Sequence, residues 1–394
     1  MDLVYGLLPA ELPAAFRVGL AGLILGTLFI TFMALGPIAY VYAETKLAGF
    51  FQDRIGPKRV GPHGLLQTVA DAVKLLFKEA IFPAGIDKLL FVLAPCLVVL
   101  GAFLGFVVLP FGARAQAADL NVGVFYLAAV GSVVTVGLIM AGWASNNKYA
   151  LFGAMRSAAQ IVSYEIPAVM ILLVVVLMAG SLSLQDIVAA QAGGLSRWFI
   201  FRYFPLMPVA FLVFFTAGLA ECNRAPFEIP EAESELVAGF HTEYSGFFFA
   251  MFFMAEYTEM VVISATASVL FFGGWHAPVA ALQHLGPIPL GPAWLLLKAW
   301  GWVFVMMWLR WTLPRLRVDQ LMYVAWKVLL PIALGLIVVV SFLVLWTPTA
   351  QGFPWDRFVG WPLTLGLVLY LVQGVIRARQ WGRRRRRELA RVTT

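Results

Sequence analysis

Charge and sulfur are both scarce in this chain. Only 12% of its 394 residues are Asp, Glu, Lys or Arg, and there are two cysteines and four histidines. Cys96 lies in an apolar run and Cys222 beside a group of acids. Two thiols at different expected depths make neither a disulfide nor a thiolate metal site, so no metal is expected. No CxxC pair, P-loop or GxGxxG turn entering a helix is present, which leaves no recognisable motif for an iron–sulfur cluster, a flavin or a nucleotide. The start of the chain has no basic segment followed by a short apolar stretch and a cleavage site. The first apolar run is therefore expected to be a retained helix.

Apolar length is abundant instead. The chain is 61% hydrophobic, with a mean hydropathy of +0.87, against about 45–50% apolar residues in soluble domains. Windows of about 20 residues nearly free of charge predict bilayer-spanning helices, and short alternating strands of a membrane barrel are not seen. The expected fold is an all-α polytopic membrane protein with about nine spans: 17–43, 89–110, 122–143, 157–180, 204–220, 247–275, 294–309, 326–346 and 358–376. The loops alternate in charge. Of the 28 Lys and Arg residues, 22 fall in 44–88, 144–156, 221–246, 310–327 and the tail from Arg377, and 5 in the opposite set, with Lys298 inside a span. This asymmetry predicts an outside N-terminus and a cytoplasmic C-terminus. The run RRRRR at 383–387 reads as a topology anchor that also meets anionic membrane lipid; no nucleic-acid partner is expected. No internal repeat is evident, which weighs against an inverted-repeat transporter.

Two loops are unusual. After QDRIGPKRVGPHG, Gln52 to Gly64, the segment 65–82 sets Leu65, Leu66, Val69, Val73, Leu76 and Phe77 against Gln67, Asp71, Lys74 and Lys78 at helical spacing,. It is too charged and short to span. It is expected to lie in the membrane interface and to end at Pro83, unless it merely packs on the bundle. The loop 221–246, ECNRAPFEIPEAESELVAGFHTEYSG, carries six glutamates at 221, 228, 231, 233, 235 and 243 against one arginine, Arg224. A solvated surface is the ordinary reading of such a loop. Acids hardly affect topology, however, and the interleaved Ala, Pro, Phe, Ile, Leu and Val predict partly buried backbone.

More acids lie within the spans. Glu165 is in an apolar stretch, and Glu256 and Glu259 share a helix face three residues apart,. An intramembrane acid costs about 2.5 kcal/mol or more on insertion and is a functional candidate. Lys298 offers one charge partner at most, and Glu44 and Lys46 close the first span, where a snorkelling interface pair is the ordinary alternative to a functional role. Crowded carboxylates cannot all be charged cheaply. The pattern predicts acids running from the cytoplasmic surface toward the membrane centre, as a proton path or a charge relay.

Four blocks carry a family resemblance: ETKLAGFFQDRIGPKRVGPHGLLQTVADAVKLLFKE, GWASNNKYALFGAMRSAAQIVSYEIPA, the acidic loop, and RWTLPRLRVDQLMYVAWKVLLP. Together they resemble the H subunit of bacterial NADH–quinone oxidoreductase, respiratory complex I, from about Glu44 to Pro331. The resemblance implies a translocase subunit of the cell inner membrane, with other membrane-arm subunits and the peripheral redox arm as partners. It implies that residues 1–357 form an eight-helix core lining part of the quinone chamber, and 358–394 an extra helix with a basic tail. The protein would bind no cofactor of its own; quinone would be the substrate, with FMN and iron–sulfur clusters in partner subunits. Carried over by position, Glu44, Lys46, Arg54, Arg59, Asp71, Lys74, Arg224 and Phe227 would border the quinone, and Glu165, Glu221, Glu228, Glu231, Glu233, Glu235, Glu243 and Glu256 would form the acidic path. Arg310, Arg315, Arg317 and Asp319 match the family's basic block. Thr45, Lys58 and Thr68 stand where the family usually has Arg, Asn and Pro, Glu228 stands for an Asp, and Glu259 is where a neutral residue is expected. The rivals are the corresponding membrane protein of a hydrogenase-type or ferredoxin- or F420H2-linked complex, a stand-alone ion transporter, and a structural anchor for the peripheral arm.

Overall fold

The computed structural model describes residues 13–346, apart from 114, 231–235, 280–281 and 286–287. The expected ninth span, the basic tail, and Glu231, Glu233 and Glu235 lie outside the described residues. Helix α1, Ala14–Phe51, contains the whole expected first span and is about 57 Å long at 1.5 Å per residue. Helix α2, Gln67–Phe77, is the amphipathic segment. It ends at Phe77, before the expected stop at Pro83, because Lys78 is already extended at φ −70° and ψ 135°. Its apolar side chains Leu66, Val69, Val73, Leu76 and Phe77 are exposed, as a helix lying in the interface requires.

Helices α3 (Lys88–Leu104), α4 (Gly123–Ala144) and α5 (Lys148–Ala179) follow. A Cβ at Gly137 would stand 2.5 Å from Val98 Cγ2; glycine there lets α4 press against α3, as small residues do in membrane bundles. Helix α5 starts nine residues before the expected span. Asn147 caps it by accepting from the Tyr149 N–H at 2.9 Å, and the helix carries Lys148 and Arg156, whose charges suggest a loop. A short helix α6, Leu184–Ala190, leads to α7, Leu206–Glu221. After the acidic loop come α8, Gly246–Phe271, and α9, Gly291–Thr312, separated by a two-residue antiparallel ladder, His284–Leu285 with Ile288–Pro289. Helix α10, Val318–Val324, passes through a π-helical turn, Ala325–Leu329, into α11, Leu330–Trp346. The expected loop 310–327 is thus half helical. Its start is fixed where the Arg317 N–H donates to Gln320 Oε1 at 3.2 Å.

The molecule is an all-α membrane protein. Among the described residues six helices are long and apolar enough to cross a membrane, and α7 is a shorter apolar helix. One core lies among α5, α7, α8, α9 and α11. A second, built from α3, α4 and α5, includes Phe240, Tyr244 and Phe252. That second core holds the acidic loop in place: Tyr244 stacks on Phe91 at 4.0 Å, and its hydroxyl donates to the Phe91 carbonyl at 3.0 Å.

Candidate functional site

The ends of four helices meet where the acidic loop folds inward. Gln160 of α5 donates to the Ala220 carbonyl at 2.8 Å and to Asn223 Oδ1 at 3.1 Å. The Leu316 N–H donates to the Pro226 carbonyl at 3.1 Å. Residues from Cys222 to Phe227 are buried. The loop is therefore packed backbone, as its apolar interleaving suggests.

Packing brings Glu44, Arg224, Glu228 and Glu256 together with Arg310, Arg315 and Tyr257. Arg224 Nη1 donates to Glu44 Oε1 at 3.1 Å and Oε2 at 3.2 Å, and Tyr257 Oη donates to Glu44 Oε2 at 2.6 Å. Arg310 Nη1 also donates to Glu44. Arg224 Nε lies 2.7 Å from Glu256 Oε1, and its guanidinium covers the Tyr257 ring at 4.3 Å. Glu228 takes Arg310 at 3.3 Å and Arg315 at 3.0 Å. Three carboxylates face three guanidinium groups, so the network is formally neutral. Burial opposes the charge of Arg224, but Glu256 and Glu44 hold it protonated well above the ordinary arginine range.

The ordinary reading of Glu44 and Lys46 does not hold. Glu44 is 4% exposed and bonds to arginines, while Lys46 turns to the Pro57 carbonyl at 2.5 Å; the two do not form a snorkelling pair. Among the described residues Lys298 meets no carboxylate. It donates to the carbonyls of Phe272, Gly274 and His276 at 2.6, 2.8 and 2.6 Å. The cations that meet the membrane acids come from Arg224, in the loop, and Arg310, in the last turn of α9.

A second group has no such compensation. Glu165, Glu221 and Glu259 line a cavity of about 110 Å³ with Gly101, Gly131, Phe214 and Thr266, and among the described residues no Lys or Arg borders it. Ser132 donates to Glu165 Oε1 at 2.5 Å, and Gly131 and Ser132 are exposed on the outer face of α4. A smaller cavity of about 20 Å³ is lined by Asn223, His241, Phe240, Glu256 and Glu259. Burial pushes His241 down to about 4, so it is neutral there. Burial, then Glu259 and Glu221, push the Cys222 thiol far up against the pull of Arg224. At 1% exposed, Cys222 is covered within this chain alone, and shielding it needs no peripheral arm.

The remaining candidates stand apart. Glu243 accepts from Asn147 Nδ2 at 2.6 Å. Phe227 meets the Tyr164 ring edge-on at 5.3 Å. Arg54 Nε donates to Gln52 Oε1 at 2.6 Å, Asp71 pairs with Lys74 at 3.5 Å on the polar face of α2, and Arg59 is exposed. Sequence reasoning left Tyr257 and His241 out of the site. Tyr257 follows Glu256 directly, and His241 lies in the acidic loop; position within those motifs was the available signal.

The profile of the NADH dehydrogenase family matches residues 24–341. The chain belongs to this family. Curated relatives, each named as the H subunit of NADH-quinone oxidoreductase, extend the match. The one from Chlorobaculum tepidum is 52% identical over 329 residues, 81% of this chain and 90% of its own length. That from Geobacillus kaustophilus is 52% identical over 329 residues, covering 83% and 94%. That from Chlorobium luteolum is 48% identical over 357 residues, covering 88% and 94%. The family resemblance read from the four sequence blocks is thereby borne out. Both cavities and the arginine network fall within the span matched by the family profile.

Proposed function

We propose that this chain is the H-type membrane component of an NADH–quinone oxidoreductase, that it walls part of the quinone chamber, and that its acids couple quinone reduction to proton translocation. The observation that carries this is the contrast between the two acid groups. The neutral arginine network, drawn from the ends of α1 and α9, the loop after α7 and the middle of α8, is a charge-balanced floor under the surface loops. The three carboxylates beyond it share one cavity with no cation in its described lining, and crowded like charges oppose each other. A change of potential at the network would act on protons held in that cavity. Quinone reduction nearby would supply that change, with electrons delivered from FMN and iron–sulfur clusters in partner subunits.

The same reading places Lys46, Arg54, Arg59, Asp71 and Lys74 at the quinone entrance, beside the exposed apolar face of α2. Glu231, Glu233, Glu235 and Glu243 would extend the acidic path at the surface. The Lys and Arg asymmetry supports an outside N-terminus and a cytoplasmic tail in the cell inner membrane. Residues 358–394 would be an addition to a complete core at 1–357.

Glu165 and Glu221 test the proposal. In the assembled complex, their replacement by Gln should abolish most quinone-linked proton pumping, and replacement by Asp should keep part of it. Assembly is checked on native gels, and NADH oxidation by an artificial acceptor serves as the upstream control. Gln variants that assemble and pump at the normal rate would end the acidic-path reading.

A further inference from the structure

Glu259 lines both cavities: it borders the smaller one with Glu256 and His241 and the larger one with Glu165 and Glu221. Val134 is the other residue common to the two linings, and it has no titratable group. Glu259 follows Glu256 by three residues on α8, so the two carboxyl groups lie one turn apart on one helix face. It interacts electrostatically with Glu256 on one side and Glu221 on the other. Among the described residues no hydrogen-bond donor reaches either Glu259 or Glu221. We propose that Glu259 is a proton-relay residue that joins the arginine-network cavity to the cavity of Glu165 and Glu221.

Space, and one titratable residue common to both cavities, make such a relay physically possible. A water needs about 10–15 Å³ of such volume. The larger cavity, about 110 Å³, therefore has room for several waters, and the smaller, about 20 Å³, for one. Water can carry a proton within each cavity. Val134 and Glu259 border both cavities, and of the two only Glu259 can hold a proton. A carboxylate there takes a proton from the Glu256 side, forming one O–H bond, and gives it up on the Glu221 side, breaking that bond. The residue ends as it began and no oxidant or reductant is involved. Asn223, His241 and Glu256 line the entry side, and of the titratable groups there only Glu259 also lines the larger cavity.

A passive Glu259 predicts the opposite effect. A third carboxylate beside Glu221 and Glu256 adds repulsion, so an isosteric amide that removes it should be neutral or favourable. The sign of the E259Q effect therefore separates relay from filler.

This inference rests on the acidic-path reading, so E259Q, E259D and E221Q are compared in complexes reconstituted into vesicles. E259Q should lose pumping and quinone-linked turnover on the order of tenfold or more, the range of a lost acid–base group. E259D should keep a share of both, with a larger solvent deuterium isotope effect than wild type. A carboxyl band in the redox-difference infrared spectrum should vanish in E259Q. If E259Q pumps like wild type while E221Q fails, the relay is wrong and the acidic path stands. If both pump like wild type, the relay falls together with the path.

Discussion

Glu44 and Arg224 are 180 residues apart in the chain, yet Arg224 Nη1 meets both carboxylate oxygens, at 3.1 and 3.2 Å. Both residues are nearly shut off from solvent, at 4% and 3% exposure. Buried pairs are weak sources of net stability, but removing one partner is expensive, about 3–5 kcal/mol, because it leaves an uncompensated charge. The two single variants are not equivalent. R224M strips a cation from Glu44 and Glu256 together. E44Q leaves Arg224 with Glu256, and Arg310 with Glu228. R224M should therefore lower the melting temperature and the assembled fraction far more than E44Q does. Equal behaviour of the two on native gels and in thermal melts would show that Arg224 does not hold the junction.

How much of this is legible in the sequence depends on the range of the interaction. Span positions follow from local hydrophobicity, and the helix ends agree with the expected ones to within four residues for α4, α7, α8 and α9, whereas α3 ends at Leu104, six residues before the expected 110. The starts of α5 and of the α10–α11 unit escape such reading because Lys148, Arg156 and Arg317 look like loop residues, and a cap at Asn147 or a Gln320 acceptor outweighs their charge. The acidic loop stands out by composition. Its cations do not: Arg310 reaches Glu44 across 266 residues, and no local pattern encodes such a partnership. Lys298 is hidden for a related reason. Its acceptors are backbone carbonyls at the end of α8, which have no sequence signature.

His241 predicts a pH dependence with a definite sign. Its pKa is about 4 in the folded protein and 6.5 ordinarily, and burial is the cause. Above pH 6.5 both folded and unfolded chains hold it neutral, so it adds no slope. Between 6.5 and about 4 only the unfolded chain takes the proton, and stability falls as pH falls, by on the order of 3 kcal/mol across that window. The ring already packs edge-on against Phe240, Phe249 and Phe253, so phenylalanine should fit. Thermal melts from pH 7 to 4.5 should show H241F losing less stability than wild type. Parallel curves would mean that the imidazole protonates freely in the folded state.

Lys298 should matter for stability without a carboxylate partner. Its ammonium closes the end of α8 through three carbonyls and sits 4.3 Å over the Trp198 ring. K298M keeps the stem but orphans those acceptors, at a cost of about 1–3 kcal/mol for each buried group left unpaired. Melting should drop, and protease should cut more readily after Phe271, while quinone-linked turnover per assembled complex stays normal. A K298M protein as stable as wild type would mean that solvent satisfies these carbonyls.

Two glycines should respond to alanine in opposite directions. Gly153 of α5 passes so close to the acidic loop that a Cβ there would stand 2.6 Å from Gly239 Cα, 2.7 Å from Gly239 C and 2.7 Å from Phe240 N. All three are backbone atoms, so no side-chain rotation can relieve the clash. G153A must push the turn Gly239–His241 away from α5. That shift would carry Phe240 and His241 off the smaller cavity and pull Glu243 from its 2.6 Å bond with Asn147. Stability and quinone-linked turnover should both fall. Gly301, inside α9, has nothing within 4 Å of its Cβ position. There alanine only removes the helix penalty of glycine, so G301A should gain up to about 1 kcal/mol. Melting curves and turnover of the two variants, measured side by side, check the pair. A G153A complex that melts and turns over like wild type would mean that the acidic loop can withdraw from α5 without consequence, and the packed junction that gathers these acids would lose its main structural support.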